Sequence, residues 1–167
     1  DAGSMAAGFG GSMSFIKKLT ASSSGTLSFV NGASAVVLDN TYKEYLFIIN
    51  QCHPSAKANF SFQGSINTGS AYGVNITSTH FQNKMDEGDT DSHALGYESG
   101  RDLAQSTNFQ FLTETQNTAA DECCSGYIHL FNPSSTTFVK HFKATCESIS
   151  DNWTVRALAR VVKRIVK

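Results

Sequence analysis

The chain has 167 residues and a net charge of -1, so a single domain is expected and overall charge draws it neither to nucleic acid nor to a membrane surface. Hydrophobic residues make up 40%, with twelve Phe and five Tyr, whereas charged residues make up only 16%. The apolar share suffices for a buried core, which excludes a wholly disordered chain. The Ser, Thr, Asn and Gly that replace charge suit an extracellular or particle-surface β protein better than a helical cytosolic enzyme.

Residues 1–13 are small, Gly-rich and without periodicity, so they read as a flexible lead, with the fold starting at Ser14. Strand-like runs follow at Phe15–Thr20, Thr26–Val30, Tyr42–Asn50, Ala58–Gln63, Gly73–Phe81, Asn108–Thr113, Tyr127–Phe131 and Phe138–Cys146, separated by turn-rich text. In the third run Leu46 and Ile48 share one face while Tyr45, Phe47 and Ile49 share the other, the pattern of a central strand covered on both sides. In the fourth, Phe60 and Phe62 point one way. Lys84–Thr115 is long and polar and reads as an excursion, with a short helix near Arg101–Gln105. Asn132–Ser135 turns the next two runs into a hairpin: proline presets φ, and Asn and Ser bond back to the backbone. Runs at this spacing predict an all-β fold, a jelly-roll-like two-sheet antiparallel sandwich over 14–154.

The remaining segment, 155–167, carries five basic residues, Arg156, Arg160, Lys163, Arg164 and Lys167, and no acid. At 100° per residue they fall in one arc opposite Leu158, Val161 and Ile165, which allows a basic amphipathic helix. The β-branched content allows a last strand, Trp153–Val162, with a basic tail instead, and an all-β domain favours that reading.

Candidate chemistry is sparse. Asp86, Glu87, Asp89 and Asp91 place four carboxylates in six residues, and oxygen ligands of this kind gather hard cations such as calcium. Their spacing departs from the EF-hand loop, so a solvated acidic loop without a metal is expected, flanked by His80 and His93. No cofactor is expected. There is no Gly-x-Ser-x-Gly elbow, no His-Glu-x-x-His and no phosphate-cradling glycine loop; His129 and His141 could meet across the hairpin, but the reading is not an enzyme. Cys52, Cys123, Cys124 and Cys146 lack zinc spacing. Adjacent Cys123 and Cys124 diverge, a bridge from one of them to Cys52 or Cys146 stays open, and buried free thiols are the simplest reading. Sequons at Asn59, Asn75 and Asn152 are what this composition produces by chance. Tyr72, Tyr97 and Trp153 are aromatics that could stack on sugars. No apolar run approaches the roughly 20 residues that span a bilayer, and no secretion signal is visible, so membrane insertion is not expected.

Phe15–Ser24, Val37–Tyr45, Leu103–Phe109 and Leu130–Phe142 together resemble a family of small virion proteins of tailed phages, marine ones especially, over Ser14–Cys146. The resemblance implies a non-enzymatic β-sandwich on the particle exterior, in a tail fibre or other appendage or decorating the capsid. Its partners would be other virion proteins and copies of itself, a trimer being favoured, with the basic residues from Arg156 to Lys167 as assembly elements. A glycan-binding module for host adsorption is the first alternative; a hydrolase on the same scaffold is the second.

Overall fold

The computed structural model describes residues 13–88, 93–150 and 153–161, and these form eight strands and no helix. The strands are β1 (Glu44–Cys52), β2 (Ala58–Phe62), β3 (Ser78–Asp86), β4 (Ala94–Tyr97), β5 (Gln110–Gln116), β6 (Cys124–Phe131), β7 (His141–Ser150) and β8 (Trp153–Val161). Six pair in the order β1-β6-β7-β8-β3-β4, and β2 pairs with β5 in a second, smaller sheet. Every pairing is antiparallel. This is the expected all-β two-sheet sandwich, unevenly divided. Among the described residues no helix is long and apolar enough to cross a membrane.

β7 shows how the sequence builds the large sheet. Phe142, Ala144, Cys146 and Ser148 are buried while His141, Lys143 and Glu147 are exposed, the period of two that a pleated strand imposes. The buried side meets Ile128, Ala159, Ile76 and Leu112 in one core, and the Phe62 ring of the small sheet stands edge-on to Phe142 at 4.5 Å. Each large apolar side chain buried this way contributes about 1.5–3 kcal/mol. β6 and β7 approach closely at Gly126, where a Cβ would lie 2.2 Å from the Thr145 carbonyl oxygen and 2.7 Å from the Cys146 Cα. Only glycine fits there.

Several sequence expectations are corrected. Phe15–Thr20 and Thr26–Val30 form no strands. No ladder partner lies beside them among the described residues, and left-handed φ at Ser23, Gly32, Ser34 and Ala35 turns the chain between and after the two runs. This segment is attached instead through Val36, which is buried, and through Phe29 against Phe47 at 5.3 Å. Tyr42–Asn50 is a strand but not a central one: β1 is a sheet edge, with its Leu46 and Ile48 exposed. Gly73–Phe81 becomes a strand only from Ser78, preceded by an isolated Ile76–Ser106 bridge. The hairpin of β6 and β7 is present, yet β7 begins at His141 and Phe138 stays exposed in the connection. There Ser135 Oγ accepts from the Phe138 N–H at 2.8 Å and holds the turn.

Lys84–Thr115 is not an open excursion. β3 continues to Asp86 and folds back as β4, and β5 follows. No helix forms near Arg101: Gln105 has φ +50°, and Leu103 exchanges bonds with Ser78, its N–H donating to Ser78 Oγ at 2.9 Å and its carbonyl accepting from Ser78 N–H at 2.8 Å. These bonds to β3 compete successfully with helical ones.

β8 occupies the middle of the large sheet, between β7 and β3. Val155–Val161 therefore belong to the sandwich as part of the last strand that an all-β domain favoured, and the helical alternative fails over them. With a strand ready on each side, both edges of the β-branched run are satisfied by ladder bonds.

Candidate functional site on the outer face of the large sheet

Register decides what the outer face presents. Ile48 lies opposite Tyr127, Tyr127 opposite Thr145, Thr145 opposite Leu158, Leu158 opposite Phe81, and Phe81 opposite Tyr97. A largely apolar and aromatic row, interrupted on β7 by Thr145, thus crosses all six strands. At about 4.8 Å per strand it extends roughly 24 Å. Ile48 is 74% exposed and Tyr97 48%, whereas Thr145 is buried beneath its neighbours, 3.4 Å from the Tyr127 hydroxyl. Phe81 and Tyr97 meet edge to face at 5.2 Å. At the β1 end Leu46, Ile48, Gly126 and Tyr127 line a shallow apolar depression. Ile48, Tyr127, Phe81 and Tyr97 of this row are open to solvent among the described residues.

Polar rows flank it. On one side the register carries Leu46, His129 and Lys143, and on the other Ser125, Glu147, Arg156 and Asn83. Arg156 Nε is 3.6 Å from Glu147 Oε1, and His129 Nε2 is 3.0 Å from Glu44 Oε2. An apolar strip with a charged rim is the anatomy of a docking surface.

Behind the same sheet lies a second constellation, buried between β3, β5 and the 98–110 segment. Glu114 takes Lys84 Nζ at 2.6 Å and also binds the Arg101 guanidinium. Arg101 Nη1 donates to the Thr113 carbonyl at 2.9 Å, and Gln110 Nε2 donates to the Arg101 carbonyl at 2.9 Å. Gln82 Nε2 donates to Glu98 Oε2 at 2.7 Å, and outside this buried cluster the exposed Tyr97 hydroxyl bonds Asp102. His80 is fully buried, with neither ring nitrogen bonded among the described residues. Burial pushes its pKa down, and the Arg101 charge adds to the effect. Burial works to raise the Glu114 carboxyl, but the Lys84 bond and the two cations outweigh it and hold the pKa below its ordinary value. Glu114 and Glu98 thereby pin the 98–110 segment onto β5 and β3.

The sequence-derived candidates separate. Asp86 is buried at the end of β3 and Glu87 is exposed, while Asp89 and Asp91 lie outside the described residues. Among the described residues no group of three or more His, Cys, Asp or Glu is arranged to hold a metal. Of the assembly candidates, Arg156 projects from the outer face and Arg160 pairs by backbone with Thr79 and Lys143; Lys163, Arg164 and Lys167 lie outside the described residues. His129 does not meet His141: register sets it opposite Lys143, and its partner is Glu44. Of the stacking candidates, Tyr97 joins the outer row and Tyr72 is exposed elsewhere, whereas Trp153 pairs with Asp86 and Ser150 on the inner side. All four cysteines are free thiols, Cys124 and Cys146 buried. Sequence reasoning missed the outer row because it needs the order of six strands. It missed the Glu114 network because its members come from three separate segments. Comparison with protein-family models, with curated proteins and with solved structures returned no match.

Proposed function

We propose that this chain is a non-enzymatic structural module of a phage particle exterior, a tail appendage or capsid decoration, that assembles through the outer face of its large sheet with further copies of itself. The carrying observation is the row from Ile48 to Tyr97, aligned by register, whose Ile48, Tyr127, Phe81 and Tyr97 are exposed among the described residues. A contiguous apolar strip of this kind marks an interaction site on a soluble domain. Both sheet edges, β1 and β4, also present open ladders that a neighbouring copy can cover. The hydroxyl- and amide-rich composition and the resemblance to small virion proteins support the particle setting, and repeated appendages close by symmetry, a trimer being the expected copy number.

Sedimentation of the intact chain tests this reading. A trimer is expected, and Ile48→Asp with Phe81→Asp is expected to give a folded monomer. A wild-type chain that stays monomeric at high concentration and is missing from purified particles by mass spectrometry overturns it.

One observation favours a second reading, glycan binding in host adsorption. Tyr127 and Phe81 lie three strands apart on the row, roughly 14 Å, with Tyr97 beside Phe81, so an extended oligosaccharide could stack along it. A glycan array with wild type and Tyr97→Ala separates the two: sugar binding lost in the variant favours this reading, and no sugar binding removes it.

A further inference from the structure

β1 ends in an irregularity. Its register with β6 breaks between Ile49 and Cys52, where Gln51 takes φ +49°. The break is pinned on both sides of Cys52: Gln51 N–H donates to Ser125 Oγ at 3.0 Å, and His53 Nε2 bonds the Ala119 carbonyl at 2.8 Å. The result sets Cys52 directly opposite Cys124. Opposed residues of an antiparallel pair have Cα atoms about 4.5–5.5 Å apart, inside the range of about 4.4–6.8 Å that a disulfide spans.

The two thiols differ. Cys52 is partly exposed and Cys124 fully buried. A side-chain hydrogen bond from Cys124 lowers the Cys52 pKa to about 7, against opposing burial. The Cys124 thiol is pushed far up by that same bond and by its own burial. A solvent-reachable thiolate beside a protected thiol is the arrangement in which one sulfur reacts first and the other resolves it. Cys123 precedes β6, its carbonyl accepting from the Ile149 N–H at 3.3 Å, and Cys146 lies opposite Gly126 rather than opposite a cysteine.

We propose that Cys52 and Cys124 form a peroxide-responsive dithiol, an oxidation site that ties the edge strand β1 to β6. The Cys52 thiolate attacks a hydroperoxide oxygen, the O–O bond breaks, and Cys52 becomes a sulfenic acid as hydroxide or alkoxide leaves and takes a proton. The Cys124 sulfur then attacks the Cys52 sulfur, the S–O bond breaks, and the departing hydroxide takes the Cys124 proton as water. Two thiols lose two electrons, which the peroxide gains; with hydrogen peroxide, two waters form. Reduction by a small thiol reverses the link. This site does not depend on the outer face as a docking surface.

The test treats the intact chain with hydrogen peroxide, then denatures and alkylates it. Untreated chain is expected to take four labels, one for each of its four cysteines, and treated chain two fewer, with peptide mapping joining Cys52 to Cys124 and a higher melting temperature. Cys52→Ser is expected to abolish the link, and Cys146→Ser and Cys123→Ser to retain it. A link through Cys123 or Cys146, oxidation that stops at Cys52 without a link, or a link that survives in Cys52→Ser overturns the proposal. Because Cys52 is partly exposed, its variant is expected to fold, which a far-ultraviolet circular dichroism spectrum checks.

Discussion

The inner face of the large sheet is held by two different kinds of chemistry. Toward β1, β6 and β7 it is apolar, with Phe47, Ile128, Leu130 and Phe142 packed on the small sheet. Toward β3 the same face carries His80, Gln82 and Lys84, closed by Glu98, Arg101 and Glu114. The first half is stabilised in proportion to the area removed from water and is insensitive to pH. The second must satisfy each charge it buries, so removing one member exposes the others to desolvation without compensation. A single sheet thus has one half whose weakness is volume and another whose weakness is charge.

Single substitutions are expected to cost most in the apolar half. Gly126→Ala is expected to cost about 4 kcal/mol or abolish folding, because the new Cβ would meet backbone atoms of β7 that cannot move aside. Denaturant unfolding, or the yield of soluble protein, measures it. Phe142→Ala is expected to cost about 3–5 kcal/mol through a cavity beside Phe62, equally at pH 5 and pH 7.

In the polar half Glu114→Ala is expected to cost about 3 kcal/mol at neutral pH, since it leaves Lys84 and Arg101 without their shared anion. Its folded pKa is depressed below the unfolded value of about 4.3, so its contribution is complete above that pH and is lost as pH falls through the folded pKa. The loss from Glu114→Ala should therefore shrink in acid. A mutant deficit that stayed constant down to pH 3 would contradict the network.

His80 sharpens the same contrast in a different window. Its folded pKa is also lowered, so below about 6.5 the unfolded chain binds a proton that the buried ring refuses, and stability falls with pH until the folded pKa is reached. His80→Leu is expected to flatten the fall in unfolding free energy as pH drops below about 6.5, by about 1.4 kcal/mol for each unit of depression removed. At the small end, Arg156→Ala is expected to change stability by less than about 0.5 kcal/mol, because its pair with Glu147 is 3.6 Å long with both side chains more than half exposed.

Residue alternation determined a great deal by itself. The inward set of β7, the two Phe of β2 and the hairpin from Tyr127 onward are legible in the sequence because a pleated strand turns successive side chains to opposite faces whatever its partners are. All-β architecture in two sheets followed from that. What alternation leaves open is pairing. Phe15–Thr20 reads like a strand and is none, β1 reads like a central strand and is an edge, and the basic run from Val155 becomes the middle of the sheet. A strand exists only when a neighbour takes its N–H and C=O groups, and a neighbour far along the chain leaves no local mark on the sequence. The outer row, the Glu114 network and the opposition of Cys52 to Cys124 each join segments tens of residues apart, so only the tertiary structure could decide them.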